Sequence, residues 1–192
     1  MKQLSLLITR EDADVLESTR SAIESLHAML VPYADIMAPL HDGGLQDAMR
    51  KLTIRPRGES LGTQDVEAVS PPVFGRYILL YSTDIDDRRR GFAIRHGMGH
   101  VAAGHVSEIA YMKNRADRDD FMSHEERVAD LFALGDLISC FRLDELRKQR
   151  MSWRALTQEI CRVVRQHTLE WPEQRVHDRA VLRVLFYRAY QM

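Results

Sequence analysis

His96 and His100 are the residues of this chain whose type and spacing point most directly to chemistry. On a helix, side chains four apart stand on one face, about one 5.4 Å turn from each other. Two imidazoles so placed can turn their ring nitrogens onto a single cation. In the H-E-x-x-H pattern that does this for zinc, the Glu serves as general base. Here the run is Ile94-Arg95-His96-Gly97-Met98-Gly99-His100, and the Glu position is Gly97. The spacing keeps the metal ligands, and the substitution removes the usual base.

A histidine pair is also what a hydrogen-bonded core pair looks like in a chain with eight histidines, so the surrounding pattern decides. His124-Glu125-Glu126-Arg127-Val128-Ala129-Asp130-Leu131-Phe132-Ala133 reads as a second amphipathic helix with acids at its start. Ala129, Phe132 and Ala133 recur at helical spacing and face inward. Glu126 lies one turn before Ala129 and Asp130, adjoining that face, where a carboxylate either pairs with an Arg or reaches a metal. Its rival role is as capping-box partner of Ser123, the expected N-cap. A third histidine ligand in the metzincin manner is excluded by counting. That pattern needs Gly three and His six residues after the second His, where this chain has Ala103 and Val106. Gly104 is expected to stop the helix, using its tolerance of positive φ. On a continued helix His105 would lie about 180° from His96, so it is expected to cap the helix or to support the ligands from behind.

Taken together, the two segments resemble the ImmA/IrrE-type zinc metallopeptidases. The core pattern of that family is a strand, then R-F-x-x-A-H-E-x-G-H, then E-x-x-A-[ND]-x-F-A on a following helix. Arg90-Gly91-Phe92-Ala93-Ile94-Arg95-His96-Gly97-Met98-Gly99-His100 resembles the first half, and Glu126 to Ala133 follows the second position by position. The resemblance spans Gly75 to Ile138. It implies an α+β, mostly helical fold: a zincin-like core with a small sheet packed on the active-site helix, followed by extra C-terminal helices. It implies His96, His100 and Glu126 as zinc ligands with water at the open fourth position, and Gly97 as the site of the missing general base. Mn²⁺ or Fe²⁺ would suit the same donors. It further implies a protein partner, a DNA-binding transcriptional repressor or an antitoxin, cleaved or bound in a stress or mobile-element response. Gly97 leaves three readings open. The chain is a degenerate relative that binds without cutting, or a variant with its base removed, or an enzyme in which Glu125 or His105 supplies the base. A purely helical regulator with an incidental histidine pair is the bland alternative.

Composition sets the bounds. The 192 residues suit one domain with its own core. A hydrophobic fraction of 45% and a charged fraction of 29% are ordinary for a globular chain. A net charge of −1 argues against a nucleic-acid coat. Residues 144–192 carry ten Arg/Lys against six Asp/Glu, which is more simply a solvated helix face than a nucleic-acid contact. Cys140 and Cys161 form no disulfide framework. No apolar run approaches the ~18 residues of a membrane span, and Met1 to Ile8 lacks signal-peptide character; a cytoplasmic protein is expected.

The elements that must position the site follow from periodicity. Thr9 caps a helix running to about Met29, with Val15, Leu16, Ala22 and Ile23 among its apolar stripe. His41-Asp42-Gly43-Gly44 reads as a turn and Leu45 to Leu52 as a short helix. Arg55 to Pro72, rich in Gly, Pro and Ser, reads as a long loop with a short strand at Val66 to Val69. Phe74 to Tyr81 is the strongest strand, and in the resembled family would border the cleft. Asp84 to Asp87 turn into the histidine helix, with Arg88-Arg89-Arg90 pairing to the aspartates. Asn114 to Asp120 reads as a charged loop, and Leu143–Arg150, Ser152–His167 and Glu173–Tyr190 as helices. The expected division is a metallopeptidase-like domain over 1–143 and a helical extension over 144–192 packed on it.

Overall fold

The computed structural model describes residues 9–30, 42–61, 67–69, 72, 74–106, 111–112, 123–138, 140–168 and 171–189. The fold is α+β and mostly helical. Helix α1 (Arg10–Leu30) is followed by α2 (Asp42–Lys51), strands β1 (Ile54–Glu59), β2 (Glu67–Val69) and β3 (Tyr77–Ser82), and helix α3 (Asp87–Ala102). Strand β4 (Tyr111–Met112) and helices α4 (His124–Leu137), α5 (Cys140–Lys148), α6 (Trp153–His167) and α7 (Glu173–Ala189) complete it. The sheet order is β1-β3-β2-β4. β1 runs parallel to β3 with Ile54 opposite Tyr77, and β2 runs antiparallel to it with Val69 opposite Leu79. No helix among the described residues is long and apolar enough to cross a membrane.

Three expectations need correction. Arg55 to Glu59 is a strand, not a loop. β1 lies at the sheet edge, where only Ile54 is buried, so no alternation betrays it, and Pro56 is tolerated because an edge needs no complete set of N–H donors. Asp42, Gly43 and Gly44 are the first turn of α2 and not a turn before it; His41 lies outside the described residues. The Asn114–Asp120 loop and Met1–Ile8 also lie outside them. The strand expected from Phe74 begins at Tyr77, because Phe74 and Gly75 form a tight turn with φ of 52° and 74°.

α3 starts and stops as its sequence dictates. The Asp86 carboxylate accepts the Arg88 and Arg89 backbone N–H groups at 2.9 and 3.1 Å, and Arg90 pairs with Asp87 at 3.1 Å. At the other end Gly104 takes φ 73°. Its N–H bonds the Val101 carbonyl at 3.1 Å, and that of His105 bonds the His100 carbonyl at 2.9 Å. This is the paired bonding of a Schellman stop, which needs the left-handed residue.

α3 and α4 form the middle layer. A Cβ on Gly99 would sit 2.9 Å from Ala129 Cα and 3.1 Å from its carbonyl oxygen, so the glycine lets the two backbones touch. On one side lie the sheet, α1 and α2, with Met98, Leu79, Val69, Ile54, Ala48 and Ala22 in one core. On the other, α6 and α7 bring Leu156, Ile160, Val164, Val176 and Ala180 against Phe92 and Leu134. The helices after residue 144 thus bury their apolar stripes on the same α3–α4 layer. Arg127, 3% exposed, fastens three helices. It reaches Glu11 at 2.9 Å and Asp12 on α1, and Asp178 on α7 at 3.4 Å.

Candidate metal centre

The buried face of α3 presents His96 and His100 toward the first turn of α4. Their Nε2 atoms lie 3.0 Å apart. Glu126 Oε1 is 3.3 Å from His100 Nε2, and Oε2 is 3.6 Å from His96 Nε2. The side chains are nearly closed to solvent, His96 at 5%, His100 at 2% and Glu126 at 1% exposure. The three donor atoms lie within 4.8 Å of one another and form a group able to hold a metal ion. Ser123 does cap α4, accepting the Glu126 N–H at 3.4 Å, but the Glu126 carboxylate is carried into the histidine pair.

The donor set fits a cation. Ligands ~2.0–2.1 Å from a tetrahedral ion are separated from each other by roughly 3.3 Å, and the spacings of 3.0 to 3.6 Å bracket that value. Burial holds His100 below its ordinary pKa, reinforced by the neighbouring His96, which favours the neutral ligand form. Burial pushes Glu126 the other way, but the His100 hydrogen bond and the charge of His96 prevail and keep the carboxylate ionised. A His100 held toward its neutral form and an ionised Glu126 are the states that metal binding requires of those two groups.

Behind each histidine stands a partner. Asp130, one turn along α4 from Glu126, lies 2.7 Å from His96 Nδ1. Its burial is complete, yet Arg175 and Arg179, followed by His96, hold its carboxyl well below the usual range. Arg175 reaches Asp130 with both Nε (3.1 Å) and Nη2 (2.8 Å), and Arg179 Nε reaches it at 2.8 Å. Arg175 also lies 3.6 Å from Glu126 Oε2, with its guanidinium 3.8 Å from the centre of the Trp171 ring. His100 Nδ1 meets His105 Nδ1 at 3.1 Å. His105 thus combines the two alternatives set out for it: its N–H closes α3 and its ring stands against His100. Burial, then the charge of His100, depresses its pKa to about 4.

No family model, curated protein or solved structure matches the chain.

Gly97 is where that geometry adds most. A Cβ built there would meet Leu79 Cδ1 at 2.3 Å and Val69 Cγ2 at 3.2 Å. Two glycines in one turn cost helix propensity, and packing gives a reason for each. Gly99 admits α4, and Gly97 admits the β3 leucine. The direction in which a general base would leave the helix is filled by a side chain wholly buried in the core. Of the substitute bases, Glu125 is exposed at the outside of α4 and His105 meets the Nδ1 side of His100, away from the converging Nε2 atoms. Cys161 is half-buried, and burial raises its thiol pKa; nothing about it touches the centre.

Asp130, Arg175, Arg179 and Leu79 were not singled out by sequence reading. The one available signal was Asp130, four residues after Glu126 and so on its helix face.

Proposed function

We propose that this chain is a metal-binding protein with a zinc-metallopeptidase-like His96–His100–Glu126 centre in a zincin-like core, in which peptide hydrolysis is lost or severely weakened. Its role is to engage a protein partner, a transcriptional repressor or antitoxin in a stress or mobile-element response. The observation that carries this reading is the conjunction at one turn of α3: three convergent ligands are kept, while Leu79 occupies the space that a base at position 97 would need.

When bound, a zinc ion would supply Lewis acidity and an acidified water. The chain itself supplies the holding of that ion by His96, His100 and Glu126, and the orientation of the histidines by Asp130 and His105. Among the described residues, position 97 offers no carboxylate to take the proton from an attacking water. Such general-base assistance is typically worth ~10²–10⁴-fold in rate. The geometry therefore favours binding over cutting.

Elemental analysis of the purified protein beside a His96→Ala/His100→Ala control tests the centre. About one equivalent of metal per chain, zinc by preference, is expected in the parent and none in the control; equal metal in both would refute the centre. A peptide-hydrolysis assay then compares the zinc-loaded parent with Gly97→Glu/Leu79→Ala, which restores the acid and clears the space for it. A gain of at least ~10²-fold is expected. Turnover by the parent equal to the double variant would refute the loss of function.

A further inference from the structure

The charged cluster behind His96 has a hydrogen-bond logic that reaches from the C-terminal helix to the ligand atom. Asp130 is wholly buried on α4. Its Oδ2 receives Arg175 Nε, Arg175 Nη2 and Arg179 Nε at 3.1, 2.8 and 2.8 Å, and its Oδ1 receives Arg175 Nη2 at 3.0 Å. Guanidinium groups donate only and stay charged in proteins. Both carboxylate oxygens are thereby committed as acceptors. The remaining contact on Oδ1, His96 Nδ1 at 2.7 Å, must then be a donor, so Nδ1 carries the ring proton. A neutral imidazole with its proton on Nδ1 has its lone pair on Nε2, the atom that faces His100 and Glu126.

We propose that Arg175 and Arg179 are positioning residues of the centre: acting through Asp130, they select the His96 tautomer that presents Nε2 to a metal. This rests on the metal-centre reading above and extends it to the C-terminal helix α7. Without the guanidiniums neither Asp130 oxygen would be fixed by a charged donor, and nothing would hold the carboxylate in place against His96 Nδ1. With both bound, the carboxylate can only accept from Nδ1. Arg179 is fully buried, while Arg175 retains 15% side-chain exposure and stacks on Trp171. Arg175 is also the nearer to Glu126 Oε2, so it restrains two of the three ligands.

Other arginines of these helices serve a different end. Arg183, one turn beyond Arg179, hydrogen-bonds the Ile138 carbonyl at 2.6 Å, at the far end of α4 from Glu126. It provides the comparison for a purely structural contribution.

The test measures zinc affinity by competition with a chromophoric chelator for the parent, Arg175→Gln, Arg175→Lys and Arg183→Gln, each checked for folding by circular dichroism. In parallel, the His96 ring protons are observed by ¹⁵N-edited NMR in the metal-free proteins. Partners behind metal-ligating histidines are typically worth ~10–100-fold in affinity, and a loss in that range is expected for Arg175→Gln. Arg175→Lys, which keeps the charge but not the fork or the stack on Trp171, should recover only part of it, and Arg183→Gln should bind as the parent does even if it is less stable. The metal-free parent should show a protected Nδ1 proton that Arg175→Gln weakens or loses. Zinc binding by Arg175→Gln equal to the parent, or a parent His96 protonated on Nε2, would overturn the proposal. A parent with the protected Nδ1 proton but no affinity for zinc would instead overturn the metal-centre reading and leave the tautomer assignment standing.

Discussion

Position 97 offers the sharpest quantitative test, because two opposing effects of known size meet there. Replacing Gly97 by Ala in a helix interior should stabilise by about 1 kcal/mol from propensity alone. The added Cβ, however, would lie 2.3 Å from Leu79 Cδ1, a contact that cannot persist. Overpacking of this kind costs ~1–3 kcal/mol, so Gly97→Ala is expected to be neutral to destabilising by up to about 2 kcal/mol. Leu79→Ala, at a wholly buried position, should cost ~2–5 kcal/mol. In that background the overlap is gone, and only the Val69 Cγ2 contact at 3.2 Å remains, so the same Gly97→Ala change should now stabilise. The double-mutant cycle, read by urea unfolding of metal-free protein, should therefore return a favourable coupling of about 1–3 kcal/mol between the two alanines. Sites that do not interact add to within ~0.5 kcal/mol. A coupling inside that limit would mean that Leu79 does not occupy the space beside residue 97, and the packing account of the missing base would fail with it.

Three further outcomes are expected. Gly99→Ala should destabilise more than Gly97→Ala and should also weaken zinc binding, since its Cβ would press on the Ala129 backbone at 2.9 Å and force α3 from α4; unfolding and chelator competition on one sample check both. Asp12 has its folded pKa lowered from 3.8: burial opposes the shift, but hydrogen bonds from Thr9 and Arg127 outweigh it. Its contribution is thus present above the unfolded-state pKa and lost as pH falls through the lower folded value, so the stability difference between parent and Asp12→Asn should shrink from pH 6 toward pH 3; a difference that grows on acidification would refute the sign. Phe74, fully exposed at φ 52°, gives up no burial when replaced, so Phe74→Asn should stabilise by about 0.5–1 kcal/mol in thermal unfolding; a loss would mean the ring makes a contact that its exposure denies.

The parts of this fold that sequence reveals are those whose signals are local. Ser123, Ser152 and Asp86 announce helix starts because a cap lies within three residues of the N–H it accepts. Gly104 announces a stop for the same reason. His96, His100 and Glu126 are legible because two share one helical turn and the third opens the next amphipathic helix of clear pattern. β1 was hidden, since its six residues bury only Ile54 and carry Pro and Gly. Arg175 and Arg179 were hidden differently: they are an ordinary i,i+4 pair on a charged helix, and only the fold brings them to Asp130, 45 and 49 positions earlier in the chain. Leu79 read as one more apolar strand residue. That it fills the space beside Gly97 depends on how the sheet lies on α3, which no spacing encodes.

The two glycines of α3 are constrained by different kinds of contact. Gly99 is constrained by backbone: Ala129 cannot rotate aside, and any side chain would separate α3 from α4. That close approach is also what brings Glu126, one turn before Ala129, to 3.3 Å from His100. Gly97 is constrained only by side-chain ends, Leu79 Cδ1 at 2.3 Å and Val69 Cγ2 at 3.2 Å, and a smaller residue at 79 would remove the closer one. On the function proposed above, separating His96, His100 and Glu126 requires a change that core packing resists, whereas placing an acid at position 97 requires one compensated exchange between α3 and β3. A metal-holding role would then be tied to the stability of the fold, and a proton-transferring role would not.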